Sequence, residues 1–350
     1  MQLALLIVLV VFIIDLFVPE GVAASIPHIL GVIATLTSTN RRDAIVVAFL
    51  ATFFTLSAEW WSPGRGDTEL WKVMFNRFLV VTAIWAVATV IYLRATAMDE
   101  LARVSKQLKD EVDYASRLQE RLYPTASPTI SGLDIAGYVL PAEQLCGDYY
   151  DYIEMSEGTQ GFVVADVSGH GLGQSLVMSD VRSNIRSMAR SKLELGEILT
   201  EVNRRLIADT PDDIFVTMMI VKLDPETMTF SYASAGHSSL MIRASGDVED
   251  LRSDSLALGL ADIGAYKQRA DIPFNHGDTL LLCTDGLEER HSPEGELFGR
   301  ARIVEEIKDA QKASSEQVIK RLVAAANSFA RGEAPHDDVT LVVVRRPAPV

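Results

Sequence analysis

Four apolar stretches, residues 3–18, 22–36, 44–58 and 78–93, fill most of the first 94 positions. A membrane span needs roughly 20 mostly apolar residues, with about 17 as a practical minimum. The first and last stretches approach that length unaided; the middle two reach it only with their polar ends. The opening "MQLALLIVLVVFIID" has the core of a signal peptide but lacks its basic start and its small-residue cleavage site. Arg41 and Arg42 separate the second and third stretches, and Arg94 and Arg103 follow the fourth. Positive residues stay on the cytoplasmic side. The expectation is therefore a transmembrane region over 1–94 of about four spans with both ends inside. The segment "EWWSPGRGDTELW" falls outside, with Trp60, Trp61 and Trp71 at the interface.

Charge divides the chain in the same place. Residues 1–97 carry six basic and six acidic side chains, so the whole net charge of −15 lies beyond them. Nucleic acid is excluded as a partner, because phosphate backbones demand a basic footprint. Metal cations are compatible with such a surface. The two cysteines, Cys146 and Cys283, form neither a CxxC pair nor a disulfide framework.

After the last apolar stretch comes "ATAMDELARVSKQLKDEVDYASRLQERLYP", free of Gly and Pro until Pro124. Leu101, Val104, Leu108, Ala115, Leu118 and Leu122 recur at the 3-4 spacing of a coiled-coil seam, with Glu111 as a fault. This predicts a helical linker over 95–123 and a homodimer through the helix of 98–123.

From 124 to 350 the pattern becomes strands, read at 133–139, 162–165, 216–223, 229–233, 279–283 and 339–344, with helices at 172–192, 195–207, 301–310 and 315–330. "VKLDPETMTFSY" reads as a hairpin turning at Asp-Pro-Glu-Thr. Strands come in adjacent pairs more often than in alternation with helices, which predicts antiparallel sheets with helices packed outside. Neither a GxGxxG nor a Walker sequence is present.

Aspartates gather at strand ends. "CGDYYD" holds Asp148 and Asp151, "VADVSGHG" holds Asp166, "LLLCTDGLEE" holds Asp285, and "PHDDVTLVVV" holds Asp337 and Asp338. Converging carboxylates repel unless a cation lies between them. Oxygen donors without a Cys/His set select hard ions such as Mg²⁺ or Mn²⁺. Two such ions can activate a water and clamp a phosphoryl oxygen.

With "LQERLYP" and "SAGHSSLMI", these pieces resemble, in family order, the SpoIIE-type, RsbU-like branch of the bacterial metal-dependent serine/threonine protein phosphatases. The resemblance implies an α+β fold, an αββα sandwich of two mainly antiparallel sheets, with a dinuclear Mn²⁺ or Mg²⁺ centre at one edge. It makes Asp148, Asp166, Asp285 and Asp337 the catalytic acids. Asp148 and Asp166 would lie nearest both metals, the Val167 carbonyl would be a further ligand, and Asp285 and Asp337 would serve one metal. His170, Gly169, Asp338 and His336 stand behind them, His170 packed near the cleft with a general-acid role open to it. Gly169, Gly171 and Gly173 would let the backbone after Asp166 pass close by. Cys146 stands where many relatives have glycine and offers a place for oxidation. The cation that would hold a substrate phosphate has no candidate.

The implied protein is a multi-pass phosphatase of the bacterial inner membrane with its catalytic domain in the cytoplasm. Its implied substrate is a phosphorylated STAS-type antagonist of an anti-sigma factor. A pseudophosphatase docking module and a small phosphate-ester hydrolase are the alternatives.

Overall fold

The computed structural model describes residues 1–18, 26–38, 40–60 and 69–348. The chain divides into two compact units, Met1–Lys109 and Asp110–Val350.

In the first unit, α1 (Gln2–Asp15), α2 (His28–Ala34), α3 (Asp43–Ser57) and the start of α4 (Leu70–Glu120) share an interior of small and branched residues, among them Ala4, Val8, Val47, Ala51, Ile84 and Ala88. The outer faces are just as apolar: Leu3, Phe53, Phe78 and Val90 are each more than 60% exposed. The four expected spans are matched by one helix, α4, that is long and apolar enough to cross a membrane, and by three apolar helices of 14, 7 and 15 residues. Those three fall short of a span by themselves. Trp61 and the loop 62–67 lie outside the described residues; Trp60 and Trp71 are exposed.

α4 runs unbroken for 51 residues, through position 94 and into the connector. Seam positions Leu101, Val104, Leu108 and Leu118 are exposed on the single chain. Leu122, past the end of α4, does not join them: it packs against the core of the second unit.

The second unit is two five-stranded sheets laid face to face. Its elements are β1 (Asp134–Leu140), β2 (Tyr149–Glu154), β3 (Gln160–Val167), α5 (Leu172–Met188), α6 (Leu195–Asp209), β4 (Val216–Asp224), β5 (Thr229–Ala235), β6 (Ser239–Ile242), β7 (Val248–Leu251), β8 (Gln268–Pro273), β9 (Thr279–Cys283), α7 (Asp285–Glu288), α8 (Gly299–Asp309), α9 (Ser315–Phe329) and β10 (Val339–Arg345). The sheet orders are β1-β10-β9-β6-β7 and β2-β3-β4-β5-β8, antiparallel throughout.

Side-chain alternation builds the layers. On β3, Phe162 and Val164 point into the inter-sheet core, and Val163, Ala165 and Val167 point out to α5 and α6. On β10, Val342 and Val344 face inward, and Val339, Leu341 and Val343 meet α8 and α9. A strand covered on both faces has no reason to alternate with polar residues, so residues 162–165 and 341–344 are continuous apolar runs. This is the expected sandwich of sheets flanked by helices. The β4–β5 hairpin turns through Asp224–Thr229 as read, with the Asp224 carboxylate accepting from Glu226 N at 2.8 Å.

Candidate active site

Strand pairing delivers the acids to one place. Tyr149 pairs with Ala165, so Asp148 at the entry to β2 lies beside Asp166 near the end of β3. Cys283 pairs with Leu341 in the other sheet, which sets Asp285, at the start of α7, beside Asp337, two residues before β10. Thr284 joins the two sheets: its Oγ1 donates to Asp148 Oδ2 at 2.7 Å and accepts from Thr340 N at 3.0 Å.

The cluster is electrostatically strained. Asp148 is 1% exposed, and burial first, then the Asp166 charge, holds its carboxyl well above the carboxylate range. Asp166 is pushed up to about 7 by burial, then by Asp285, Asp337 and Asp338. Asp285 lies at the open side of the cleft and is raised by partial burial, then by Asp337 and Glu289. Among the described residues no Lys, Arg or His is ion-paired with Asp148, Asp166, Asp285 or Asp337. Nor do any three His, Cys, Asp or Glu side chains there close on a single point. An all-oxygen set of this kind fits hard divalent ions.

Backbone approach completes the site. A Cβ on Gly147 would come 3.1 Å from the Val167 carbonyl oxygen, so the loop before Asp148 passes directly over the expected carbonyl donor. A Cβ on Gly286 would fall 2.0 Å from the Asp338 carbonyl oxygen, so only glycine lets the turn of Asp285 close on the turn of Asp337. Gly169 and Gly171 have φ of +84° and +102°, which turn the chain from β3 into α5. Gly173 has open space around it and shows no comparable need for glycine.

Asp338 is occupied in a way the sequence did not reveal. Its two oxygens accept from Ala142 N and Gly147 N, both at 2.7 Å, and thereby hold the 142–147 loop in front of Asp148. From the other side, Gln119 pairs with the backbone of Cys146, and Tyr123 Oη donates to the Asp148 carbonyl at 2.8 Å. The sequence places Thr284 in "LLLCTDGLEE" and Gln119 and Tyr123 in "LQERLYP" without assigning any of the three a role.

The other expected groups take quieter places. Asp151 is buried and structural, accepting from Arg186 Nε at 2.6 Å, from Arg186 Nη2 at 2.8 Å and from Tyr149 Oη at 2.6 Å. His170 is not packed into the cleft; its side chain is 69% exposed, with Nδ1 3.1 Å from Glu143. His336 is exposed, with its ring edge-on to that of His291. His237 is buried, its Nδ1 3.1 Å from Thr217 Oγ1, and burial lowers it to about 4, so it is neutral. Cys146 and Cys283 are both buried free thiols, and burial pushes both up, Cys283 to about 12. Cys146, fully covered, is no ready target for oxidation.

Sequence and fold are both shared with known proteins. The family model for stage II sporulation protein E (SpoIIE) matches residues 156–347. The chain is 29% identical over 248 residues to phosphoserine phosphatase RsbU of Bacillus subtilis, covering 70% of this chain and 73% of that one. It is 24% identical to phosphoserine phosphatase RsbP of the same organism, covering 51% and 45%. Among solved structures, the SiaA PP2C domain of Pseudomonas aeruginosa superposes with a TM-score of 0.62 at 23% identity, covering 70% of this chain and 99% of that domain. The RsbU and RsbW domains of a Mycobacterium tuberculosis protein give 0.53 at 29% identity, covering 64% and 62%.

Proposed function

The chain belongs to the SpoIIE family and is a protein serine/threonine phosphatase; from that premise we propose that it is anchored in the bacterial inner membrane and acts on a phosphorylated regulatory protein in a partner-switching circuit. The observation that carries the catalytic part is the gathering of Asp148, Asp166, Asp285 and Asp337 from four chain segments, with the carboxyls of the first three raised by burial and by neighbouring acids and no Lys, Arg or His ion-paired with the four among the described residues.

In this reading Asp148, Asp166, Asp285, Asp337 and the Val167 carbonyl hold two Mn²⁺ or Mg²⁺ ions. Bound there, the ions supply Lewis acidity toward a phosphoryl oxygen and make a water acidic enough to attack near neutral pH. Thr284 fixes the rotamer of the buried Asp148. Asp338 holds the 142–147 loop without spending its charge on a metal. Gly286 sets the spacing of Asp285 and Asp337. The substrate is a phosphoserine or phosphothreonine on a STAS-type antagonist of an anti-sigma factor, which RsbU and RsbP as phosphoserine phosphatases support.

The outer faces of the first unit, apolar where a soluble domain would be polar, support membrane anchoring of α1 to α4 as a multi-span region. The exposed seam of α4 supports a homodimer through the connector.

The test is hydrolysis of a phosphorylated STAS-domain protein by the full-length chain in neutral detergent. Turnover should require Mn²⁺ or Mg²⁺ and stop in EDTA. Asp166→Asn or Asp285→Asn should lower it by about 10² or more, since a lost ligand weakens activation of the attacking water. Undiminished turnover in EDTA would end the metal reading.

A further inference from the structure

The first unit carries two adjoining cavities that catalysis does not use. One, of about 410 Å³, is lined by Ser38, Asn40, Arg41, Arg94, Met98 and Asp99 among others. The other, of about 400 Å³, is an almost wholly apolar groove along Ile33, Ala86, Val87 and Val90. Leu36, Ile91 and Arg94 line both, so they form one continuous surface with a polar end and an apolar end.

The polar end is basic. It holds two guanidinium groups against the single carboxylate of Asp99. Neither Arg41 nor Arg94 has an ion pair or side-chain hydrogen bond among the described residues, although most arginines of the second unit are paired with carboxylates. Two guanidinium groups lining one cavity supply the charge that a phosphate site needs. Ser38 and Asn40 add polar groups on the wall. An apolar groove running from such a site suits a chain of methylenes.

We propose that this surface binds an anionic phospholipid, its phosphate between Arg41 and Arg94 and one acyl chain along Leu36, Val87, Val90 and Ile91. The inference rests on the membrane-anchored reading above, which places Arg41 and Arg94 at the cytoplasmic face. Basic pockets between helices at that face take anionic headgroups. The lipid bridges α4 to the turn before α3 at the point where α4 leaves the apolar layer. Arg42, one residue away, does not line the cavity and has no part in the site.

The experiment is native mass spectrometry of the full-length chain in neutral detergent, titrated with dioleoyl-phosphatidylglycerol, dioleoyl-phosphatidylcholine or inorganic phosphate. Phosphatidylglycerol should be retained about tenfold more tightly than phosphatidylcholine, in line with the attraction of two basic residues for an anionic headgroup. The double variant Arg41→Gln/Arg94→Gln should lose that preference, and Arg42→Gln should keep it. Equal retention of the two lipids overturns the proposal. So does an Arg42→Gln loss equal to that of the double variant, which would mean diffuse surface charge. Displacement of phosphatidylglycerol by millimolar inorganic phosphate would assign the cavity to soluble phosphate and overturn the lipid. Alkaline carbonate washing of membranes separates the two levels. A chain released by carbonate refutes membrane anchoring and the site with it; a retained chain without lipid preference refutes the site alone.

Discussion

Gln119 holds Cys146 by both ends of its amide: Nε2 donates to the Cys146 carbonyl at 2.6 Å, and Oε1 accepts from the Cys146 N–H at 3.0 Å. Gln119 is the penultimate residue of the 51-residue α4, and Cys146 lies two positions before Asp148. The connector helix therefore ends on the loop that presents the first acid of the cluster.

Gln119→Ala leaves a buried donor and a buried acceptor on Cys146 unpaired. Each such group costs about 1–3 kcal/mol. The variant should melt several degrees lower and bind Mn²⁺ more weakly than wild type, read by calorimetry and by metal titration. Unchanged metal affinity would show that α4 and the loop are adjacent but not coupled.

Asp337 and Asp338 should separate cleanly despite being neighbours. Asp338→Ala strips the partners from Ala142 N and Gly147 N and should destabilise the fold by about 2 kcal/mol or more. Asp337→Asn removes a repelling charge from an exposed position. In EDTA it should leave the melting temperature unchanged or raised, while lowering turnover in Mn²⁺ by about 10². Paired melts and rates for the two variants decide the assignment.

Stability should depend on pH in opposite ways with and without metal. The Asp166 carboxyl in the folded chain is raised to about 7, so between the ordinary carboxylate range and pH 7 the folded state keeps a proton that the unfolded state has lost. Stability then falls as pH rises through that window. Divalent ions offset the repulsion and compete with the proton. The gain in melting temperature on adding Mn²⁺ should thus be larger at pH 8 than at pH 5.5. An equal gain at both would mean that the acids do not titrate as a cluster.

Glu111 interrupts an exposed row of Leu101, Val104, Leu108 and Leu118. Replacing it with leucine extends the seam and should shift the full-length chain toward dimer at lower concentration, read by mass in detergent. A one-residue insertion after Lys109 rotates the following helix by about 100°, takes the seam out of phase and should weaken the dimer. Identical masses for wild type and both variants would make the connector a passive tether.

Much of the second unit was legible because its central strands are covered on both faces. Runs such as Phe162–Val164 and Val339–Val344 contain only what two apolar layers tolerate. β2, buried but built of tyrosines and acids rather than aliphatic residues, and β8, mostly exposed, carry no such signature. The acids stand out by their places at strand ends, and the roles proposed for them come from the family order of the motifs. What could not be read was long-range: Asp338 meets Gly147 across 191 positions, and Thr284 meets Asp148 across 136. No local pattern encodes such pairs. The first unit shows the converse limit. Apolar composition gave the expectation of about four spans, but one helix among the described residues is long and apolar enough to cross a membrane, because helix lengths depend on where turns fall and composition does not mark turns.

The burial of both cysteines makes the chain a ready-made single-label scaffold. Neither thiol of the native protein faces solvent, so maleimide dyes and nitroxides should find nothing to modify until a cysteine is introduced. One placed at exposed Leu101 or Leu118 would become the sole reactive position, with no need to remove Cys146 from beside the cluster. Distances between two such labels across a dimer could then be followed while the enzyme turns over.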